Sequence, residues 1–513
     1  METLTISNLI FSSTAANVLY LDNTGTTALH VLNSFVLGGR YYDESGILIA
    51  TNSALVVDGS LGGTLLNDGT MVITGGSLIT TNCSLQIAAS PYPVVGLLII
   101  SNALVQARDV TITSGSPADG GIEVIGGTMT LSSSLTVGNG FENSPGSFLV
   151  ADGARLVVTN GETDVGGFSE SSGNMTVSNA TFLGANVFLG GLRSVGQLVI
   201  NNGSVTLSGQ LNIGSGEQSS GSVSLDGGQL FVTNGATRIG VGTPSSANSL
   251  TVSNGLFLAR DVYVGAFQSS GTLSINGGTS ILSSNLQIGV GNSEATVSIT
   301  DGQLLVTNAP IVVDDAAQCT ISGGRLAART IELGISAKGT LMVDGGSVTA
   351  SEGITLGDCN NDSAVGYVWV SAGQLIVTNA SGSGFIDIQN GQLILSNGVV
   401  QVDKLVMTNS CGQLIHVGGT LIVGSLVLGP NAPRITSIVR QGNDMNISWI
   451  LGPGQTNALQ ATSGAADGSY SANGFTDIFV VTNNISPGVV TNFVDIGGAT
   501  NRPSRYYRAR LGL

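Results

Sequence analysis

The sequence predicts an all-β chain, in which a three-sided parallel β-solenoid, expected to be right-handed with about 25 residues per coil, precedes a small antiparallel β-sandwich. Three observations carry this reading. Apolar and polar residues alternate in short runs, the runs recur at a fixed interval, and glycine or asparagine closes each one. The unit is clearest from Leu198 to Gly214. Leu198 and Ile200 alternate with Val199 and Asn201. Asn202-Gly203 breaks the run, Val205 and Leu207 begin a second, and Leu211 and Ile213 form a third, closed by Gly214. Period 2 sends alternate side chains to opposite faces of a strand, and one of the two sets here is consistently apolar.

The repeat is countable from Met71. First-strand starts follow at Leu98, Ile122, Phe148, Met175, Leu198 and onward to Val368, so that twelve intervals span 297 residues. Two positions after each start the residue is again apolar, as in Ile73, Val150, Ile200 and Val343. The positions between are often polar, such as Thr251, Ser274, Ser298 and Thr320, which assigns an inside and an outside. First turns carry Gly-Gly or Asn-Gly, at Gly75-Gly76, Asn202-Gly203, Gly227-Gly228 and Gly345-Gly346, where positive φ is tolerated. Second turns repeatedly carry Asn, at Asn82, Asn160, Asn234, Asn308 and Asn379, and an amide ladder from coil to coil is expected there. Insertions such as SGEQSSGS, VGTPSSANS and GDCNNDSAVGY follow the third-strand glycine, so one edge of the rod absorbs the length variation. At ~4.8 Å per coil, thirteen coils make a rod of roughly 60 Å. A single coil buries too little to fold; stacking supplies the stability.

The organisation divides into residues 1–66, irregular N-terminal coils; 67–429, the regular β-helix; and 430–513, the sandwich. Five of the eleven prolines fall from Pro430 onward, and ITSIVRQ, MNISWIL, NALQAT, DIFVVTN, TNFVDIG and RYYRARL read as its strands. Trp449 and Tyr507 are its expected core aromatics.

Composition narrows function. The formal charge of −16 and only two lysines, Lys338 and Lys404, exclude a surface built to wrap nucleic acid. No apolar run reaches the ~20 residues of a membrane span, and METLTISNLIF contains no signal-peptide pattern. Cys83, Cys319, Cys359 and Cys411 are widely spaced without a CxxC, suggesting neither a zinc site nor a disulfide framework. Cys319 stands where other coils place Leu, Val or Ile and reads as a buried apolar residue.

Candidate chemistry is sparse. Arg108, Arg260 and Arg329 fall at one corner but on coils too far apart to converge. Glu162 and Asp164 share a strand face, the residue types of a paired-carboxylate glycosidase. His30 and His416 lie near opposite ends, which leaves no His-based nucleophile system. Asp358, Asn360 and Asp362 form D-x-N-x-D, a weak calcium candidate, since Ser363 replaces the loop glycine and Trp369 the closing glutamate. No other cofactor is indicated.

The G-x-L-x-V-x-N-G-G rhythm with returning L-x-I-G resembles the repeats of autotransporter passenger domains and related large secreted bacterial β-helix proteins. The tail, with SWIL, LQAT, FVDIGGATNRP and YYRARL, is similar to the fibronectin-III-like module that ends many secreted bacterial proteins. No set of amphipathic strands for an outer-membrane translocator follows the repeats. The resemblance implies an extracellular or cell-surface location and a non-catalytic structural or adhesin-type role. Polysaccharide or other cell-surface components are the expected partners, with end-to-end self-association between rods. The alternative is a polysaccharide-binding or polysaccharide-degrading β-helix. Ice binding by the Ser/Thr face is a third reading, opposed by interruptions at Val72, Leu149, Met342 and Trp369.

Overall fold

The computed structural model describes the chain except residues 1–3, 13–16, 23–27, 40–45, 60–62, 89–94, 114–119, 140–146, 168–169, 243–246, 267–268, 290, 292, 409–410, 430–433, 452–455, 466–468, 471–473, 483–489, 501–503 and 512–513. From Leu4–Phe11 to Thr420–Leu428, 38 strands hydrogen-bond into one parallel array. Each coil contributes three sides. In the coil singled out by sequence these are Val195–Asn201, Ser204–Leu207 and Leu211–Ile213. Leu198 sits in register between Met175 and Val223, Val205 between Phe182 and Leu230, and Leu211 between Val187 and Thr237. These inward residues are all but inaccessible, so the apolar set of each strand joins a stack running the length of the rod.

The ladder continues beyond the countable repeat in both directions. Val18–Asp22 and Gly46–Thr51 precede Gly69–Thr74, and Asn390–Leu395 and Cys411–His416 follow Val365–Val377. The irregular first segment is therefore built of the same coils.

One coil corrects the expected register. Leu149 and Ala151, not Phe148 and Val150, point inward, since Leu149 pairs with Ile122 and Met175. Four consecutive apolar residues, Phe148 to Ala151, leave the parity open to either reading by alternation alone. Packing decides it: the Phe148 ring lies over Gly121 of the preceding coil, so close that a Cβ there would fall 2.2 Å from the ring. The first face is accordingly interrupted by Val150 rather than Leu149.

The corners follow the turn residues. Asn52, Gly75, Asn102, Gly126, Gly153, Asn179, Asn202 and Gly227 occupy the first corner of successive coils, all with φ between 48° and 80°. Their N–H groups donate along the rod, Gly75 to the Ser101 carbonyl and Asn202 to that of Asp226. Gly227 suits this corner at φ 80°, where a Cβ would lie 2.3 Å from Oδ1 of Asn202 and the amide would have to shift. The asparagines of the second corner do not stack on each other. Asn82, Asn160, Asn234, Asn308 and Asn379 fall on every third coil, which sets them ~14 Å apart. Their amides reach the backbone of the coil before instead: Asn160 donates to the Ser132 carbonyl, Asn308 to Ser283 and Asn379 to Ser351. The insertion VGTPSSANS lies partly outside the described residues.

The tail forms two three-stranded antiparallel sheets. Arg434–Gln441, Asp444–Ile450 and Val490–Asp495 make one; Thr476–Thr482, Thr456–Ser463 and Arg505–Leu511 make the other. Trp449 is fully buried with Ile447, Leu451 and Leu459, and Phe479, Phe493 and Tyr507 pack against them. Phe479 stacks on Phe493 at 4.8 Å. Among the described residues no helix is long and apolar enough to cross a membrane.

Candidate binding site on the third face

The third side of each coil is short, and its outward positions form two rows. Along one row the register runs Thr136, Asp164, Phe188, Asn212, Arg238 and Tyr263; along the other it includes Glu162, Asn186 and Gln210. The strand Glu162–Val165 produces the pair by alternation, with Thr163 and Val165 inward and fully buried, and Glu162 and Asp164 outward.

Glu162, Asp164 and Phe188 line a cavity of about 160 Å³ whose rim is Gly167, Gly191 and Ser215. The rim is backbone stacked on backbone: Gly191 N–H donates to the Gly166 carbonyl at 2.6 Å and Ser215 N–H to that of Gly190 at 3.0 Å. A Cβ on Gly191 would meet the Gly167 carbonyl oxygen at 2.1 Å, so this edge stays thin and the cavity stays open beside it. Asp164 is half-buried. Burial first, and the Glu162 charge second, push its carboxyl up to about 6. Neither carboxylate belongs to any of the ion pairs among the described residues.

Asn212, next after Phe188, is only 7% exposed although it stands on the outward row, and its Oδ1 is buried without a hydrogen-bond partner. Beyond it, Arg238 donates to Oε1 of Gln210 at 2.9 Å, with its guanidinium 5.7 Å from the Tyr263 ring centroid. Carboxylates, an aromatic ring and amides, one of them buried, thus share one face. Alternation exposes Glu162 and Asp164 in the sequence. The roles of Phe188 and Asn212 depend on which residues stack in neighbouring coils, and spacing alone does not show them.

The arginines stay apart and are satisfied locally. Arg108 pairs with Asp109 at 2.9 Å, Arg260 with Asp261 at 3.3 Å and Arg329 with Glu352 at 2.7 Å, all with the arginine exposed. Arg108 also bonds Ser84. His30 contacts Asp58 at 2.9 Å, and His416 lies far along the rod against the Gly419 carbonyl.

In the calcium candidate, the structure brings Asp358 and Asn360 together: Oδ1 of Asp358 accepts from both the backbone and the side-chain N–H of Asn360 at 2.9 Å. Asp362 takes no part in these bonds. Asn361 closes the same loop, accepting from Ser363 N–H and donating to the Ser336 carbonyl. No cluster of three or more His, Cys, Asp or Glu side chains suited to a metal is present among the described residues.

The cysteines divide. Cys319 is inaccessible, and burial pushes its thiol up to about 12, as expected of a core residue. Cys83 is also buried and free. Cys359 and Cys411 form a disulfide, contrary to the expectation from their spacing. Their 52-residue separation in sequence corresponds to two coils: Cys411 stands in line with Asn390, and the insertion carrying Cys359 folds along the rod to meet it. No protein-family model matches this chain, and no curated protein matches it.

Proposed function

We propose that this protein is a non-catalytic, extracellular or cell-surface rod of structural or adhesive type. The observation that carries the reading is the Cys359–Cys411 disulfide, which ties late coils two apart and is a bond that oxidising surroundings favour. The uninterrupted core supports it as well. Stacked inward rows spend the sequence on rigidity, and the charged groups of the corners are bonded to their neighbours rather than gathered at a reaction centre. Thiol labelling of protein taken from its native cells tests this. Cys359 and Cys411 are expected to resist alkylation until reduced, in material that surface protease removes from intact cells. Free thiols in material confined to the cytoplasm would overturn the proposal.

A second reading, a polysaccharide-binding or polysaccharide-degrading β-helix, is favoured by one feature: the cavity at Glu162, Asp164 and Phe188. A carboxyl held near 6 beside a second carboxylate is suited to proton transfer at a glycosidic oxygen. Polysaccharide turnover that disappears in Asp164→Asn would establish this reading against the first.

A further inference from the structure

We propose that the cavity at Glu162, Asp164 and Phe188 binds a protonated amino-sugar residue of a polysaccharide, with the adjoining sugars laid along the third face toward Asn212. The inference rests on the adhesive reading and assigns it a ligand class.

Four features converge on that chemistry. Glu162 and Asp164 face one cavity, and neither is ion-paired, so the site carries uncompensated negative charge in partial burial. A bound cation offsets what that burial costs. Phe188, in register with Asp164 on the next coil, lines the same cavity, and its ring favours both a C–H face and an adjacent ammonium. The volume, about 160 Å³, suits one pyranose ring and not a folded peptide. Finally, Oδ1 of Asn212 is a buried acceptor with no donor, one coil beyond Phe188 on the same row. Buried acceptors are normally satisfied, and a ligand hydroxyl or amine would pair with this one once the 7%-exposed side chain turns its amide outward.

Competing ligands fit less of this. A divalent cation calls for several converging oxygens and has no use for the phenyl ring. A lysine side chain satisfies the carboxylates but not Asn212, which lies two coils from Asp164, ~10 Å along the rod. A glycan running parallel to the rod axis meets all of them, because one coil of the rod rises by about the length of one sugar. The charged groups on the elements packed around Asp164 are few. Glu162 lies on its own strand, Glu170 and Arg193 pair with each other at 3.8 Å beyond the rim, and Glu217 lies beyond Ser215.

The test is calorimetric titration of the full chain with a β-linked glucosamine hexamer, its N-acetylated counterpart and spermine, near pH 7. The glucosamine hexamer is expected to bind saturably. The N-acetylated hexamer and spermine should bind about tenfold more weakly or worse, the size of one lost charge-assisted bond. Asp164→Asn and Phe188→Leu should each cost about tenfold in affinity, with Asp164→Asn melting no lower than the parent and Phe188→Leu melting close to it; the leucine preserves bulk and removes only the ring. Asp226→Asn, exposed on a different corner, should change nothing.

Equal binding of the N-acetylated hexamer or of spermine would overturn the assignment. So would an Asp226→Asn loss as large as that of Asp164→Asn, which would show diffuse attraction to a chain of charge −16. Absence of any binding would overturn it as well, leaving the surface-rod proposal to its separate cysteine test. Cleavage of the bound hexamer would leave the ligand class standing and sink the non-catalytic reading.

Discussion

Two faces of one rod carry very different surfaces over the same core. On the first face, Ser222, Ser249, Thr272 and Thr296 form one outward rank, and Ser224, Thr251, Ser274, Ser298 and Thr320 the other. The third face, across the core, holds Glu162 and Asp164 on one coil and Phe188, Asn212, Arg238 and Tyr263 on the next four. Both are backed by inward rows that are nearly or completely inaccessible, broken in the first by single polar residues such as Ser147 and Asn248 and in the third by single threonines such as Thr163 and Thr237. A solenoid therefore separates its positions by parity: inward positions hold the coils together and outward positions are free to vary, here least alike on the third face.

The comparison breaks most sharply if the two faces do not share one core. Leu198→Ala beneath the first face and Leu211→Ala beneath the third should each destabilise by about 2–5 kcal/mol, with denaturant midpoints lowered alike. A much smaller loss on one side would mean that the stack is not continuous there. The corner that hands the first side on to the second comes next. Gly227→Ala should cost about 1–2 kcal/mol, since the residue sits at φ 80° with the Asn202 amide against it. Asn202→Gly, which keeps the conformation open, should cost far less.

Charge distinguishes the faces at smaller scale. The folded-state pKa of Asp164, about 6, lies above the ordinary 3.8, so the folded chain holds that proton more tightly than the unfolded one. The stabilisation is complete below about pH 4 and is lost as pH rises through 6. Asp164→Asn should remove this dependence and raise stability near pH 7 by about 1 kcal/mol, allowing for solvent screening of a half-buried group. Melting across pH 4 to 8 checks the sign, and a parent whose stability rises over that window would refute it. On the first face, Thr251→Ala and Ser274→Ala should stay within about 0.5 kcal/mol of the parent in the same melts.

Much of this was legible in the sequence, and its limits were local. Repetition of Leu198, Ile200, Val205, Leu207, Leu211 and Ile213 from coil to coil names the inward rows, because one parity carries the apolar residues coil after coil. It failed at Phe148 to Ala151, where four apolar residues in succession admit either parity. The site was legible by half. Glu162 and Asp164 follow from alternation within one strand, whereas Phe188 and Asn212 join them only through register between coils.

By itself, then, the sequence determined the coil: its three strands, its corners of Asn and Gly, and which side chains turn inward. These depend on interactions within about 25 residues, where period 2 and positive φ act directly. The tertiary structure decided what stands beside what. It paired Cys359 with Cys411 across 52 residues and set Phe148 over Gly121. It also placed Phe188 next to a carboxylate that burial has made reluctant to ionise. Loops of unequal length shift each coil against a simple count, so contacts along the rod are fixed only when the coils hydrogen-bond.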